Sequence, residues 1–282
     1  MRFIAKPVKT RYWHPGDDYI HIVVDTTKRS LKDNDVVVIS EKAVSTASGN
    51  LIDEAKVKPG KLAIFIARFW MRYVWGHFLG WICRLKPETI RRLRTYPLKE
   101  GSAHKQVALN YAGLLQALRH GSEGGIDVTN VPYAFACLPL RNPNLVANRI
   151  QEAIKVTSGK NVTVIISDTD MTYSFGKWHI TPRPNPIAGI ASLNLLAYII
   201  GRFFKGRPRA TPLAIAGPNL SVEDALNIAE LAHHVRRSGA GKTAWDMAEK
   251  FGVSLTGVTW SMLEGIDHYP IVIVRRRMIR SS

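Results

Sequence analysis

The feature that most constrains the fold is an apolar run near the middle of the chain. The segment VTVIISDTD (162–170) begins as an unbroken β-branched stretch and ends in Ser167, Asp168, Thr169 and Asp170. Such a run predicts a buried strand that ends at Ser167. The polar groups that follow should lie at the rim of the core, where a metal ion or a phosphate can reach them.

A second acidic stretch lies about forty residues earlier. In GGIDVTN (124–130), two glycines permit a tight backbone before Asp127, and Asn130 follows three residues later. Carboxylate and hydroxyl oxygens from both stretches could converge on Mg²⁺ or Mn²⁺ shared with nucleotide phosphates. The alternative is that Asp127 is a turn residue and that Ser167 to Thr169 cap the next element.

Strands and helices mix along the chain without a regular βαβ alternation. We predict strands over 19–24, 35–40, 161–167, 213–216 and 270–275, and helices over 63–79, 104–118, 143–157, 221–237 and 244–251. This pattern favours an α+β fold over a doubly wound sheet. We expect two lobes, with a boundary that the pattern does not locate.

Composition agrees with a folded enzyme. The chain has 282 residues, of which 46% are hydrophobic, and no low-complexity tract. Its two cysteines, Cys83 and Cys137, form neither a disulfide framework nor a metal-type spacing, which favours a reducing cytoplasm. The first thirteen residues lack a continuous apolar stretch, so we expect no secretory signal.

The segment 62–83 is rich in large apolar residues and has the length of a membrane helix. Arg68, Arg72 and His77 interrupt it, and charges at a helix centre are costly in lipid. We predict a helix packed on the core or on a partner, with docking at a membrane surface as the alternative.

The formal net charge of +17 has two interpretations. It could bind nucleic acid, or it could attract small polyanions such as a nucleoside triphosphate. No nucleic-acid-binding module is recognisable. GAGKT (239–243) is similar to the end of a phosphate-binding loop, but the first glycine of that motif would fall on Arg236 and a predicted helix precedes it.

Five motifs occur in a characteristic order. They are PGDD (15–18), DVVVISEKAVSTASG (35–49), GGIDVTN (124–130), VIISDT (164–169) and HYPIVIVR (268–275). Their order and spacing resemble the coenzyme F420-0:γ-glutamyl ligase family. The resemblance implies a two-lobed α+β subunit with mixed or antiparallel sheets, a homodimer, and a nucleotide near the lobe junction.

The resemblance also implies a metal site. Asp127, Asp168 and Thr169 match family residues that hold divalent metals, Mg²⁺ or Mn²⁺, two per site. An alignment through Met262 and Pro270 puts Glu264 on a metal-binding Gln of the family. The alternative for Glu264 is a solvated acid on a loop.

On the nucleotide side, Lys42 and Asn130 match family residues that contact GTP. Glu41 stands where Ser or Thr is usual, and the stretch from Thr10 to Trp13 replaces an Ile-Pro-x-Ile pattern. We expect Lys42, Asn130, Glu41, Thr10 and Trp13 to border the nucleotide. The segment DMTYSFGKWH (170–179) also departs from the family. It is expected to form a loop that shapes the pocket for the acceptor, the substrate whose carboxylate is joined to L-glutamate.

Three further residues could contact the acceptor or a phosphate. They are His104, Lys105 and Arg119, for which a surface role is the favoured alternative.

The implied activity is GTP-dependent formation of an amide. L-Glutamate would be joined to the carboxylate of coenzyme F420-0, an anionic deazaflavin, through an acyl phosphate. Two metal ions, and optionally K⁺, would assist in a cytoplasmic homodimer. The alternatives are a related ligase acting on another carboxylate and a basic nucleic-acid-binding protein.

Overall fold

The computed structural model describes residues 2–218, 220–236, 239 and 241–277. The strands are β1 (Arg2–Thr10), β2 (Val36–Ser40), β3 (Leu51–Asp53), β4 (Phe135–Cys137), β5 (Thr163–Phe175), β6 (Trp178–Thr181), β7 (Ala191–Ser192), β8 (Arg207–Ala216) and β9 (His268–Arg277). The α-helices are α1 (Tyr19–Thr27), α2 (Glu41–Ala47), α3 (Lys61–Phe65), α4 (Gly80–Ile82), α5 (Pro87–Arg94), α6 (Leu98–Tyr111), α7 (Leu114–Ala117), α8 (Pro143–Ser158), α9 (Asn194–Phe203), α10 (Val222–Val235), α11 (Ala244–Phe251) and α12 (Trp260–Glu264). A π-helix, Ile66–Leu79, joins α3 to α4.

The main sheet is mixed. Its strands lie in the order β1-β9-β2-β5-β6-β7, and β8 also pairs with β5. Strands β2 and β5 are parallel, with Ser40 opposite Ser167, whereas β9 is antiparallel to both β1 and β2. This sheet with its packed helices confirms the predicted α+β fold.

Both faces of the central strands are covered, as the β-branched run predicts. Val164 and Ile166 pack in a core cluster that includes residues of α1 and α8. Ile165, which points to the opposite face, packs in a second cluster with Ile228 of α10. Because successive side chains of a strand alternate between faces, one run of five residues contributes to both layers.

The helices that follow β3 and precede β4 in the sequence enclose a separate apolar core. Met71 and Trp75 of the π-helix are fully buried there, together with Val107 of α6 and Ile126. This confirms the predicted helix over 63–79. No helix in the described part of the chain is long and apolar enough to cross a membrane. The division into two lobes stays a prediction.

Two predicted elements are wrong in type or extent. Residues 19–24 form the first turns of α1, not a strand, because the Asp18 carboxylate accepts the His21 N–H at 3.0 Å and caps a helix. The strand predicted to end at Ser167 continues as β5 to Phe175. Its pairing with β8 shifts register between Asp168 and Met171, so the polar residues lie at an irregularity within the strand and not at its end; Thr169 is exposed there, whereas Asp170 is buried.

The other predicted elements differ mainly at their boundaries. The helix predicted over 104–118 is two helices, α6 and α7, separated at Gly113, whose φ of 83° ends the first one. Helices α8, α10 and α11 confirm the predictions over 143–157, 221–237 and 244–251, although Arg237 lies outside the described residues.

Candidate functional site

The parallel pair β2 and β5 brings two of the predicted motifs together. Ser40 and Ser167 are partners in the ladder, and the chain leaves β2 directly into α2. Parallel strands present their carboxyl ends at the same edge of a sheet. Lys42 therefore lies near Asp168 and Thr169, although 126 residues separate Lys42 from Asp168 in sequence.

Asp127 reaches the same place from the glycine loop. Its backbone N–H and C=O pair with those of Cys137 at 3.0 and 2.8 Å. Gly125 precedes it with φ of 96°, and the Arg183 guanidinium occupies the space that a Cβ would need. Glycine is thus required at this position for two separate reasons.

The Asp127 carboxylate is paired with Lys42. The ammonium donates to Asp127 at 2.7 Å and to the Thr129 carbonyl at 3.0 Å. Burial works to lower the pKa of Lys42, but the nearby carboxylates raise it above its ordinary value. Lys42 is therefore charged at neutral pH, and it points to the loop that the sequence singled out.

These residues border a cavity of about 590 Å³. Its wall includes Lys42, Asp127, Asn130, Thr169 and Trp13. A second cavity, of about 400 Å³, adjoins it and shares Ser122, Asp127, Thr129 and Lys242 with the first. We call them the first and the second cavity. Asp127 thus stands where a ligand in one could meet a ligand in the other.

Asp168 lies behind this wall in a buried ion pair. The Nε of Arg183 is 2.8 Å from its carboxylate, and the Thr169 N–H donates to its other oxygen at 2.6 Å. Arg183 also donates to Glu41 at 2.5 Å. Burial raises the pKa of Asp168 and raises the pKa of Glu41 to about 7, while Arg183 opposes both shifts. Arg183 therefore holds two carboxylates that would otherwise repel each other.

The oxygen atoms of Asp127, Asp168 and Thr169 suit a hard cation. Within the described residues no cluster of three or more His, Cys, Asp or Glu side chains is placed to hold a metal ion. Asp127 and Asp168 are nevertheless close enough for Asp127 to raise the pKa of Asp168. Both oxygens of Asp168 have a contact, Oδ2 with the Arg183 Nε at 2.8 Å and Oδ1 with the Thr169 N–H at 2.6 Å, so a metal ion would share this carboxylate with Arg183. Two carboxylates with the neighbouring Thr169 hydroxyl fit Mg²⁺ or Mn²⁺, which prefer oxygen ligands.

Arg236 is the most informative residue that sequence reasoning missed. It lines the first cavity, and its Nε and Nη2 are buried without a hydrogen-bond partner in the part of the chain that the structure describes. Among the described residues, its one hydrogen bond is a long contact of 3.4 Å to the Ser167 hydroxyl. Burial alone lowers its pKa to about 10, so it keeps its charge. A buried guanidinium of this kind is suited to an anionic ligand.

Of the other residues predicted to border the nucleotide, two line the first cavity and two do not. Asn130 and Trp13 line the first cavity, and the Asn130 amide donates to the Gly241 carbonyl at 3.1 Å. Thr10 donates its hydroxyl to the Arg11 carbonyl at 2.7 Å. Thr10 and Glu41 are not among the cavity-lining residues, and their nucleotide roles stay predictions.

Glu264 is also apart from the cavities. It lies at the end of α12, half-exposed, and its carboxylate is 3.0 Å from Nε2 of His14. It lines neither the first nor the second cavity. Its role as a metal ligand stays a prediction.

The favoured surface role of His104 and Lys105 is wrong, because both are buried beside the second cavity. Lys105 donates to Glu123, and His104 lies between Glu54 at 2.7 Å and Glu123 at 3.1 Å. Burial opposes a charge on His104, but the two carboxylates outweigh it and raise the pKa of His104 to about 10. Paired charges can thus be buried where single ones cannot.

The surface role of Arg119 is likewise wrong. Its guanidinium makes two parallel contacts of 3.0 Å with the Asp170 carboxylate, and both residues are buried. The segment 170–179 that was expected to be a loop is the β5–β6 hairpin, with Tyr173 opposite Ile180. Asp170 lines the second cavity, so this hairpin contributes to it through that carboxylate.

Comparison with known proteins agrees with the motifs. A sequence-family model described as F420-0:Gamma-glutamyl ligase matches residues 7–217. An uncharacterized protein of Methanocaldococcus jannaschii is 38% identical over 284 residues, which covers 96% of each chain. Coenzyme F420:L-glutamate ligases of Methanococcus maripaludis and Methanothermobacter thermautotrophicus are 30% and 26% identical over 146 and 160 residues. These two alignments cover 51% and 55% of this chain, and 51% and 56% of the ligases.

Proposed function

The chain belongs to the F420-0:gamma-glutamyl ligase family, and from this premise we propose that it joins L-glutamate to the carboxylate of coenzyme F420-0 at the expense of GTP. Membership confirms the family predicted from the five motifs and, with it, the ligase class. GTP, the acyl-phosphate intermediate and the acceptor are parts of the proposal, as are the homodimer and the cytoplasmic location.

The observation that carries the proposal is the charge arrangement of the first cavity. Lys42 and the incompletely paired Arg236 supply positive charge along the same wall as Asp127 and Thr169. A triphosphate needs cationic groups around its oxygens, and a metal bound to it needs carboxylates. The cavity offers both kinds of group, which supports a nucleotide triphosphate as its ligand.

The adjoining second cavity supports a second ligand. Arg119 and Arg92 line it along with aromatic side chains, among them Tyr133, Tyr198 and Trp245. A flat anionic acceptor would meet both rings and guanidinium groups there. We therefore assign the nucleotide to the first cavity and the acceptor to the second, with reaction near Asp127.

The proposed reaction has two steps. An oxygen of the acceptor carboxylate attacks the γ-phosphorus, the bond to the β-γ bridging oxygen breaks, and GDP leaves. The neutral amine of L-glutamate then attacks the acyl carbon, the C–O bond to phosphate breaks, and phosphate takes the proton that the amine loses. Lys42 and Arg236 would orient the phosphate chain and balance its charge, and the cavity walls would limit access of water.

Asp127, Asp168 and Thr169 would hold the divalent metals. When bound, Mg²⁺ or Mn²⁺ supplies charge neutralisation at the transferring phosphoryl group. The proximity of the Asp127 and Asp168 carboxylates, through which Asp127 raises the pKa of Asp168, supports this assignment. We include Glu264 as a further ligand and K⁺ as an optional ion, on the resemblance alone.

A direct assay tests the function. The purified protein is incubated with GTP, L-glutamate, F420-0 and Mg²⁺ or Mn²⁺, and the products are weighed by mass spectrometry. We expect a glutamyl adduct of F420-0 with one GDP and one phosphate released per amide. Lys42→Met serves as a control variant with reduced turnover. Absence of the adduct with every metal and with both GTP and ATP would overturn the proposal.

A second candidate is a related nucleotide-dependent ligase acting on another carboxylate. Two observations favour keeping it: the alignments with the two ligases cover about half of each chain, and the Methanocaldococcus jannaschii relative, which aligns over 96% of its length, is uncharacterized. Hydroxylamine converts an acyl phosphate to a hydroxamate, so trapping across a panel of acids would identify the acceptor. A hydroxamate from another acid, but none from F420-0, would favour this candidate.

A further inference from the structure

One surface of the helical region exposes an unusual number of aromatic side chains. Phe65, Phe69, Tyr73, Phe78 and Trp81 point outward from α3, the π-helix and α4, and Phe78 and Trp81 are 65% and 61% exposed. We call this surface the aromatic face, and it also includes Phe203 and Phe204 at the end of α9. Exposed apolar patches of this kind usually mark an interaction site.

The side chains of the aromatic face are ordered along the helix. The rings of Phe65 and Phe69 stack with centroids 5.3 Å apart, and those of Phe69 and Tyr73 are 5.6 Å apart. The opposite side of the same helix is filled by the buried Met71 and Trp75. The helix is therefore anchored by one side, and its aromatic side is exposed, with no covering element among the residues that the structure describes.

Helix α9 extends the face. Arg202 donates to the backbone carbonyls of Cys83 and Arg84, both at 2.8 Å, which fixes the end of α9 against the end of α4. Phe203 and Phe204 are 51% and 65% exposed at this junction. The aromatic face thus spans two elements that are distant in sequence but held together by hydrogen bonds.

The two chain segments that carry the face contain no acidic residue. Neither residues 55–87 nor residues 171–222 contain any Asp or Glu. Exposed cations border the rings, namely Lys61, Arg68, Arg84 and Lys205. The next acid in the chain, Glu88, is exposed and lies 3.8 Å from Arg91.

We propose that the aromatic face docks the protein on the surface of an anionic lipid bilayer. Aromatic rings insert at the boundary between headgroups and acyl chains, and surrounding Lys and Arg side chains attract anionic lipid. A second copy of the chain is a poorer occupant, since it would bring two cationic surfaces together. This inference does not depend on the proposed reaction, and its failure would leave that reaction untouched.

Vesicle flotation tests the proposal. The full chain is mixed with vesicles of phosphatidylcholine alone, or of phosphatidylcholine with phosphatidylglycerol. The variants are the triple change Phe69→Gln, Phe78→Gln and Trp81→Gln, and the double change Arg84→Gln and Lys205→Gln. Trp178→Gln is the matched control, because Trp178 is 79% exposed on the β5–β6 hairpin and is not part of the face.

We expect binding to the anionic vesicles that weakens with salt, and little binding to the neutral ones. The triple variant should bind at least about tenfold more weakly. The double variant should lose on the order of 25-fold, at roughly fivefold per cation. Trp178→Gln should match the parent, and circular dichroism should show every variant folded, since all the replaced side chains are exposed.

Three results would overturn the proposal. The first is no binding to anionic vesicles at low salt. The second is binding that the triple variant leaves unchanged. The third is a dimer that the triple variant converts to a monomer in light scattering, which would assign the face to self-association.

Discussion

The buried charge of His104 predicts how the stability of the protein changes with pH. The pKa of His104 is raised from 6.5 to about 10, because the favourable effect of Glu54 and Glu123 outweighs burial. Between these two values the folded protein holds one proton more than the unfolded chain. The resulting stabilisation is fully present below pH 6.5 and is lost as the pH rises through about 10.

The slope does not depend on the exact value of the raised pKa. One extra bound proton lowers the free energy of unfolding by about 1.4 kcal/mol per pH unit, so the loss from pH 7 to pH 8.5 is about 2 kcal/mol. His104→Gln keeps hydrogen-bonding capacity but has no proton to lose, and it should remove this part of the slope. His21→Gln is the control, since the His21 side chain is exposed and its imidazole lies 3.1 Å from the Asp25 carboxylate at the surface.

Urea unfolding at several pH values measures the effect. The parent and His21→Gln should show the same decline in the free energy of unfolding, and His104→Gln should be flatter by about 2 kcal/mol over that interval. Equal slopes in all three proteins would refute the buried imidazolium between Glu54 and Glu123.

Four further predictions concern the first cavity and the net charge. Asp127→Asn and Asp168→Asn should each abolish metal-dependent GTP binding in calorimetry while circular dichroism stays native; unchanged affinity in Mg²⁺ would remove this metal site. Arg236→Met should weaken GTP binding roughly tenfold or more without lowering the urea midpoint, because an incompletely paired buried charge costs stability; a lower midpoint with unchanged affinity would make Arg236 structural. Glu264→Ala should lower turnover more than GTP affinity and Glu264→Gln should be milder; rates equal to the parent across a Mg²⁺ and Mn²⁺ titration would return Glu264 to its pairing with His14. Any RNA or DNA binding should be weak, salt-sensitive and indifferent to Asp168→Asn, whereas tight sequence-selective binding at physiological salt would favour the nucleic-acid alternative.

The parts of the fold that the sequence predicts well are those that depend on local pattern. The β-branched runs of β2 and β5 can satisfy their backbone only in a sheet and their side chains only in a core, so their location follows from sequence. The helix α10 is signalled by Ser221, whose hydroxyl accepts the Asp224 N–H at 3.1 Å. Residues 19–24 mislead because an apolar run of that length is compatible with either state, and only the Asp18 cap decides it.

The position of Asp168 was predicted for a reason that the structure corrects. The acidic residues were expected to be exposed because the strand ends, whereas β5 continues and only its pairing with β8 is interrupted. An irregularity of this kind depends on the partner strand, which has no signature within the run itself. The carboxylate is still near Asp127, because the parallel register of Ser40 with Ser167 is upstream of the interruption.

The ion pairs that the arginines of the site form could not have been predicted, and the reason is specific. Arg183 binds Glu41 across 142 residues of sequence, and Arg119 binds Asp170 across 51. Neither spacing corresponds to a turn of helix or a ladder of strands, so no local pattern distinguishes these side chains from solvated ones. The same ion pairs explain why burial rules based on single residues fail here: each carboxylate is stable in the core only because a guanidinium from another element shares its desolvation. It follows that Arg183→Met should disturb Asp168 and Glu41 together. Without the guanidinium, the pKa values of these two buried acids, already raised, would rise further. The carboxyl groups of the variant would then bind protons where those of the parent would bind a cation.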